Sequence, residues 1–262
     1  MAIQPFSANL WGVYSVWLRH CTVFMRTWLV NMLPPMTEPV LYLVSFGFGL
    51  SAMIPEIRIG GRSFTYMGFI APGMIAVAVL FQSFFECAYG SLIRIRYQKT
   101  WHAFLSGPLG YSDVFLGDLF WATTRGTLAA VVTGMVCIAF GLLSPLQLLL
   151  MFPLMVLGGL TFAAAGLLAA GLVRNVDQIN IPMFLVIVPM FTLSGTFFPR
   201  ENLPAWMTLP VQILPLSPLV ELLRNPFAHG ITGWFWQLTL LLAWCGFFLF
   251  ASHRVLQRHI FK

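Results

Sequence analysis

Long apolar segments of the sequence contain four ionisable residues: Glu38, Glu86, Asp118 and Arg125. A charged side chain is costly at membrane depth unless it pairs with an opposite charge or faces the interior of a helix bundle. Asp118 and Arg125 are seven residues apart, close to two helical turns, so they share one face of a helix. We expect Arg125 to pair with Glu86 or Asp118 between two helices. Direct contact with a substrate is the alternative role.

Motifs of the common hydrolytic and metal-dependent enzymes do not occur in the sequence. There is no GxxxxGK[ST] phosphate-binding loop, no HExxH zinc motif and no GxSxG nucleophile elbow. The cysteines form no CxxC pair, and we expect them to pack as small apolar residues: Cys21, Cys87, Cys137 and Cys245. We therefore predict no catalytic or metal-binding residue, and we do not expect the chain to hydrolyse ATP by itself.

The composition is typical of an integral membrane protein. Of 262 residues, 59% are apolar and 8% are charged, whereas soluble domains carry about 25% charged residues. One small core cannot bury so many apolar side chains, so lipid must solvate much of the surface. The net charge is +6, but the basic residues lie in short gaps between apolar segments. We expect contact with membrane lipids and not with nucleic acid.

Six apolar segments are long enough to cross a hydrocarbon layer of about 30 Å, which needs about 20 helical residues. They cover residues 32–53, 66–90, 112–143, 146–173, 179–198 and 235–252. Before them, residues 10–29 place apolar and basic side chains at helical spacing, which predicts an amphipathic helix on the membrane surface within segment 1–31. The expected fold is an all-α integral membrane protein in which residues 1–262 form one domain.

The distribution of basic residues predicts the orientation of these spans. Nine lie before the first span, in the second-to-third and fourth-to-fifth connections and after the sixth span, whereas four lie in the other connections. Because cytoplasmic loops carry the excess of lysine and arginine, both termini should face the cytoplasm.

Two connections differ from solvated loops. Residues 91–107, SLIRIRYQKTWHAFLSG, combine basic and aromatic side chains. They form either a basic loop on anionic lipid or a short helix that binds a protein partner. Residues 199–226 are apolar but contain six prolines, which exclude one continuous helix. We predict a broken pair of helices that enters the outer leaflet between the fifth and sixth spans. An interfacial lid without substrate contact is the alternative.

The order of these elements resembles that of the type-2 ABC exporter permeases. The resemblance covers nearly the whole chain and is carried by LPPMTEPVLYLVSFGFGL at residues 33–50, Phe85-Glu86, Arg94 and Arg96, Ser112-Asp113-Val114, Gly117-Asp118, LSGTFFPRENLP at residues 193–204, and Glu221 with Arg224. Within this family the chain is similar to the nodulation protein J group, which are permeases for lipo-oligosaccharide export.

The resemblance implies a homodimer in a bacterial inner membrane that works with a separate ABC ATPase. ATP and Mg²⁺ would bind the ATPase, and no cofactor is expected on this chain. Residues 91–107 would be a coupling helix that docks on the ATPase through Arg94, Arg96, Lys99 and Trp101. The outer element would gate the exit for an amphiphilic lipo-oligosaccharide or a related glycolipid or polysaccharide, through Ser194, Gly195, Phe198, Pro199, Pro204, Glu221 and Arg224.

Three other classes of function stay open at this point, one of which is a non-transporting membrane anchor for a partner. An ATP-independent secondary transporter or channel would need ion-binding residues at mid-membrane, where the sequence offers only Arg125. A membrane-embedded transferase or hydrolase would need clustered acids, bases or metal ligands, for which Asp113 and Asp118 with His102 are the nearest candidates. Trp121 and Phe191 are able to stack on sugar rings, although packing is the commoner role of aromatic residues in spans.

Overall fold

The computed structural model is a bundle of helices, and it describes residues 8–51, 56–59, 62–199, 204–224 and 231–260. Its elements in chain order are α1 (Leu10–Arg26), α2 (Trp28–Ser51), β1 (Ile57–Ile59), β2 (Arg62–Phe64), α3 (Tyr66–Phe85), α4 (Thr100–Leu105), α5 (Tyr111–Ala139), α6 (Pro145–Leu172), α7 (Asn180–Pro182), α8 (Val188–Leu193), α9 (Ala205–Ile213), α10 (Leu216–Arg224) and α11 (Ile231–Ile260). Two π-helical segments, Glu86–Ser91 and Ile93–Tyr97, extend α3, and a third, Met183–Ile187, joins α7 to α8.

Five helical segments of the described chain are long and apolar enough to cross a membrane, which makes the protein multi-pass. They are Tyr66–Tyr97, Tyr111–Ala139, Pro145–Leu172, Val176–Leu193 and Gly233–Arg258, and they correspond to the second to sixth predicted spans. Helix α2 covers most of the first predicted span. Helix α2 is not among the five segments that meet this test, so its crossing stays a prediction.

Several predicted boundaries differ from the structure, and two of them have a local reason. The second span continues past Gly90 to Tyr97 in π-helical geometry, so the first part of segment 91–107 is helix rather than loop. Helix α5 ends at Ala139 instead of residue 143, because Gly141 has a φ of +71°, a left-handed conformation that commonly terminates helices.

A short antiparallel hairpin lies between α2 and α3. Strand β1 pairs with β2, and Ile57 faces Phe64. Two glycines separate the strands in the sequence, as in two-residue hairpin turns. The predicted all-α fold holds for most of the described chain, and this hairpin is a local exception to it. The sequence did not predict the hairpin, because strands of three residues each are too short to show an alternating pattern.

Helices α3, α5 and α6 form the centre of the bundle, with α11 along α6, α1 across α5 and α10 against α3. Small residues permit these close contacts. A Cβ atom added to Gly126 would collide with Ser83, and one added to Gly166 would collide with the backbone oxygen of Phe84. The close packing brings the ionisable residues of α3 and α5 within reach of one another.

The proline-rich segment forms two helices, as predicted, with a sharp bend between them. The axes of Trp206–Ile213 and Leu216–Arg224 differ by 87°. Helix α10 buries Leu219, Leu222 and Leu223 in the main core. Residues 200–203 and 225–226 of the predicted element lie outside the described residues, and its entry into the outer leaflet stays a prediction.

Candidate functional site

Three of the four predicted intramembrane charges, Glu86, Asp118 and Arg125, meet in a buried network where the end of α3 approaches α5. Glu86 accepts hydrogen bonds from Arg94 (3.0 Å), from the indole of Trp121 (2.8 Å) and from Arg125. The charged side chains of this group are at most 16% exposed. The predicted pairing of Arg125 with Glu86 is confirmed, and Arg94 adds a second cation to the same carboxylate.

Asp118 is the centre of the network and is fully buried. Its carboxylate oxygens lie 2.7 Å from Nε2 of His20, 2.8 Å from the hydroxyl of Ser91 and 3.0 Å from the indole nitrogen of Trp101. Nε of Arg94 lies 3.3 Å from the same carboxylate. These partners belong to α1, to the π-helical extension of α3 and to α4. One side chain of α5 therefore holds three other elements.

Local backbone features make room for this arrangement. A Cβ atom on Gly90 would lie 3.0 Å from Nη2 of Arg94 and 3.2 Å from Oε1 of Glu86, so a larger residue would occupy the space of the ion pair. Lys99 adopts a left-handed φ of 53° directly before α4. Two residues later, Trp101 is fully buried. π-Helical turns such as Glu86–Ser91, which contains Gly90, are frequent at functional sites.

Charge within the network is balanced. Glu86 and Asp118 are opposed by the guanidinium groups of Arg94 and Arg125. Buried ion pairs of this kind contribute little net stability when they are complete, but loss of one partner leaves an uncompensated charge that costs about 3–5 kcal/mol. The network therefore favours one arrangement of its helices strongly over arrangements that break a pair.

The four residues predicted to dock on a partner separate into two pairs. Arg96 and Lys99 are exposed. Arg94 and Trp101 are 9% and 0% exposed, and both contact Asp118. The prediction that Arg94 and Trp101 are exposed docking contacts is wrong, because their charge and indole N–H group satisfy a buried carboxylate.

Arg224 organises the opposite end of α3. Its guanidinium group lies 3.8 Å from the centroid of the Phe69 ring and donates hydrogen bonds to the backbone oxygens of Gly195 (2.9 Å) and Phe69 (3.3 Å). Glu221 lies 3.5 Å from it. Three of the predicted outer-gate residues, Gly195, Glu221 and Arg224, are therefore in one cluster.

The remaining predicted residues are placed as follows. Ser194 is buried, and its hydroxyl donates to the backbone oxygen of Met190. Phe198 and Pro199 are half-buried, and Pro204 is exposed. Glu38 is part of α2, but its side chain lies outside the described residues.

Comparison with known proteins assigns the family. Residues 12–228 match the ABC-2 type transporter family. The chain belongs to this family. Nodulation protein J of Rhizobium leguminosarum bv. trifolii is 35% identical over 210 residues, which cover 80% of this chain and 79% of that protein. Nodulation protein J of Rhizobium meliloti (strain 1021) is 33% identical over 232 residues, or 87% of each chain. Inner membrane transport permease YadH of Escherichia coli (strain K12) is 25% identical over 220 residues, or 84% of this chain and 82% of YadH.

Membership of the ABC-2 family makes this chain a membrane transport subunit. The matched residues 12–228 include the whole buried network, from His20 to Arg125, and the Arg224 cluster. Both sites are thus within the transporter domain rather than in an appendage to it.

An aromatic column is the third feature of this ABC-2 protein. It comprises six half-buried rings from α2, α3 and its extension, α8 and the turn after α8, in the order Phe46, Phe197, Phe191, Phe81, Phe85 and Tyr89. Successive ring centroids are 5.1 to 5.7 Å apart. Phe191, one of the two predicted sugar-stacking candidates, belongs to the column. The other, Trp121, is 5% exposed and belongs to the buried network.

His20 is a residue of the buried network that sequence reasoning missed. It lies on a narrow stripe of α1 with Gly12 and Val16, whereas the exposed faces carry the tryptophans and arginines. A Cβ atom on Gly12 would collide with Asp113, and one on Gly117 would collide with Val16, so α1 lies unusually close to α5. The sequence does contain a signal of this packed face, because Gly12, Val16 and His20 recur every four residues and so lie on one side of the helix.

We predict that Arg94→Leu is more damaging than Arg125→Leu. Arg94 serves both carboxylates, so its loss leaves Asp118 and Glu86 short of a cation and should cost about 3–5 kcal/mol. Arg125→Leu should cost less, because Arg94 and Trp121 still contact Glu86. The midpoint of thermal unfolding in detergent and the yield of folded protein measure both effects. Arg174→Leu, at an exposed position, is the control, and equal midpoints for the Arg94 and Arg125 variants would contradict the central place of Arg94.

Proposed function

We propose that this chain is the membrane-spanning permease subunit of an ATP-driven exporter, and that it acts as a homodimer with two copies of a separate ATPase. Family membership supports a transport subunit. The buried network supports coupling to a cytoplasmic motor, because Asp118 links a membrane helix directly to a segment with an exposed basic surface. ATP and Mg²⁺ would bind the ATPase, since this sequence contains no GxxxxGK[ST] loop.

Residues 91–107 form the coupling segment in this proposal. Arg96 and Lys99 present positive charge on its surface, and the Tyr97 ring between them is 60% exposed. Aromatic and arginine side chains are the residues most often found at the energetic centres of protein interfaces. We therefore assign the ATPase contact to Arg96, Tyr97 and Lys99, and not to Arg94 and Trp101, which face inward.

Force on the coupling segment would reach the membrane helices through Asp118. Trp101 of α4 and Arg94 of the α3 extension hold this carboxylate from the cytoplasmic side, and His20 of α1 holds it from the membrane surface. Sliding one element alone would break a buried hydrogen bond or ion pair. The segments should therefore move together as one body, as in other transitions in which rigid elements shift about an interface.

The orientation assigned to the protein follows from the same proposal. The coupling segment and both termini lie in the cytoplasm, and α9, α10 and the hairpin lie at the outer face of a bacterial inner membrane. Nine basic residues lie on the side assigned to the cytoplasm and four on the opposite side, and this excess supports the orientation. The name of the relative YadH, an inner membrane transport permease, agrees with the location.

The proposed cargo is an amphiphile with a saccharide part, such as a lipo-oligosaccharide or another glycolipid or polysaccharide-like molecule. The relatives named Nodulation protein J support this class, because the nodulation protein J group that this sequence resembles consists of permeases for lipo-oligosaccharide export. The aromatic column supports it physically, because flat apolar ring faces are good partners for the apolar faces of sugar rings. Its six half-buried rings could contact successive sugar units between the outer and inner ends of the bundle.

Charge reversal on the coupling segment tests the ATPase partnership. We expect a pull-down from native membranes in mild detergent to recover an ABC ATPase in stoichiometric amount. The double variant Arg96→Glu with Lys99→Glu should reduce the amount of ATPase recovered by about tenfold or more, because two attractive contacts become repulsive. Arg254→Glu with Arg258→Glu, two exposed residues of α11, is the matched control.

Either of two results would count against this part of the proposal. If the coupling-segment variant keeps the ATPase at the control level, residues 91–107 are not the docking site. If the unmodified protein recovers no ATPase under conditions that preserve other ABC complexes, the ATP-driven exporter is wrong, and an ATP-independent transporter or channel takes its place.

Shortening the aromatic column tests the saccharide path. Phe191→Leu keeps apolar volume but removes the ring that joins Phe197 to Phe81. We expect the initial rate of ATP-dependent uptake of a labelled lipo-oligosaccharide into inverted vesicles to fall severalfold, with normal ATPase binding. Phe247→Leu, which removes a 55% exposed ring of α11, should leave the rate unchanged. Similar rates for both variants would show that the column is packing only.

A further inference from the structure

A cavity of about 310 Å³ lies at the end of the bundle that the proposal places outside. Its wall combines strand β2, the start of α3, the turn between α5 and α6, the start of α6 and the end of α10. None of its described lining residues belongs to the buried network or to the aromatic column, whereas Arg224 and Phe69 also belong to the Arg224 cluster. The cavity is therefore a candidate site apart from the network and the column, and its size is at the lower end of small-molecule pockets, roughly 300–1,000 Å³.

Part of the wall is polar but uncharged. Ser63 and Thr65 contribute hydroxyl groups, and Gln147 contributes a carboxamide. Oε1 of Gln147 accepts a hydrogen bond from the backbone N–H of Ser144 (2.8 Å), and its NH₂ group makes none within the described residues. The Thr65 oxygen accepts a hydrogen bond from the backbone N–H of Gly68 (3.3 Å), which leaves the hydroxyl hydrogen to donate. A ligand rich in hydroxyl groups could bond to all three side chains.

Arg224 is the one cationic side chain among the described residues of the wall, and it does not favour an anion. Arg224 lies 3.5 Å from Glu221, so the two charges cancel locally. Its guanidinium group also stacks on Phe69 and donates to two backbone oxygens. A phosphate or sulfate would approach the Glu221 carboxylate as well as the arginine, whereas a neutral polar ligand meets no such repulsion.

Apolar groups complete the wall. Leu142, Leu143 and Met151 line one part, and the rings of Phe64 and Phe69 line another. Aromatic faces together with hydroxyl and amide groups suit the two apolar faces and the polar rim of a sugar ring. The aliphatic side chains suit the first carbons of an alkyl chain. Both features lie in one cavity whose volume fits one sugar ring and not an oligosaccharide.

We propose that this outer cavity binds a single sugar residue of a neutral alkyl glycoside, with the alkyl chain against Leu142 and Leu143. Gln147, Ser63 and Thr65 contact the sugar hydroxyls. The biological meaning of the site rests on the proposed function, since it would hold the head of a glycolipid cargo that has reached the outer leaflet. Binding itself needs only this chain, so it can be tested without the ATPase.

Photolabelling tests this site directly. The purified full-length protein in lipid nanodiscs is irradiated with an alkyl β-glucoside that carries a diazirine on the first carbons of its chain. We expect label on peptides that contain residues 63–65 and 142–151. An excess of unlabelled octyl glucoside should reduce this labelling about fivefold, and an equal excess of octyl sulfate should not.

Two variants and one control sharpen the result. Gln147→Leu removes the amide donor, and Ser63→Trp fills the cavity from an exposed strand position where a large aromatic residue is well tolerated. Each should lower labelling about fivefold. Leu146→Trp, a 65% exposed neighbour of Gln147 outside the cavity wall, should label as the unmodified protein does.

The proposal is overturned if label is spread over lipid-facing peptides of α11, if octyl sulfate competes as well as octyl glucoside, or if both variants label normally. These readouts are independent of the partner subunit. Failure to recover an ATPase would count against the exporter while leaving the glycoside site in place. Absence of specific photolabelling would count against the glycoside site while leaving the exporter in place.

Discussion

The arrangement of this protein depends on the burial of one carboxylate. Asp118 has no exposed surface, and four side chains from three other elements supply its hydrogen bonds and counter-charge. Loss of the cationic partner of a buried carboxylate costs about 3–5 kcal/mol, so the contacts of Asp118 strongly favour this one arrangement. Helix α1, helix α4 and the end of α3 are therefore fixed to α5 more firmly than packing of apolar surfaces alone would fix them.

The two polar clusters stand at opposite ends of α3, with Phe69 under Arg224 at one end and Glu86 at the other. Between them α3 is almost completely buried against α5 and α6. Close-packed interiors move as bodies rather than deform continuously. A shift imposed at the coupling segment would therefore reach the Arg224 cluster and the bent α9–α10 pair, which are the elements that the exporter proposal assigns to the outer gate.

Much of this could be predicted from the sequence where a strong physical constraint acts on a long segment. The five apolar spans follow from membrane thickness, and the pairing of Arg125 with Glu86 follows from the cost of a lone charge. The inward direction of Arg94 and Trp101 could not be predicted, because a basic aromatic segment has the same composition whether it faces a partner or a buried carboxylate. The hairpin was too short to give a pattern. The outer cavity is formed by five chain segments that meet only in the folded protein.

Trp101→Phe offers the most direct test of coupling through Asp118. This variant keeps an aromatic ring in the core but removes the N–H group that lies 3.0 Å from the carboxylate. The measurement is the ratio of cargo exported to ATP hydrolysed by the purified complex of permease and ATPase in proteoliposomes. If Asp118 transmits the movement, this ratio should fall while ATPase binding and ATP hydrolysis persist. An unchanged ratio, with the complex intact, would contradict coupling through this carboxylate.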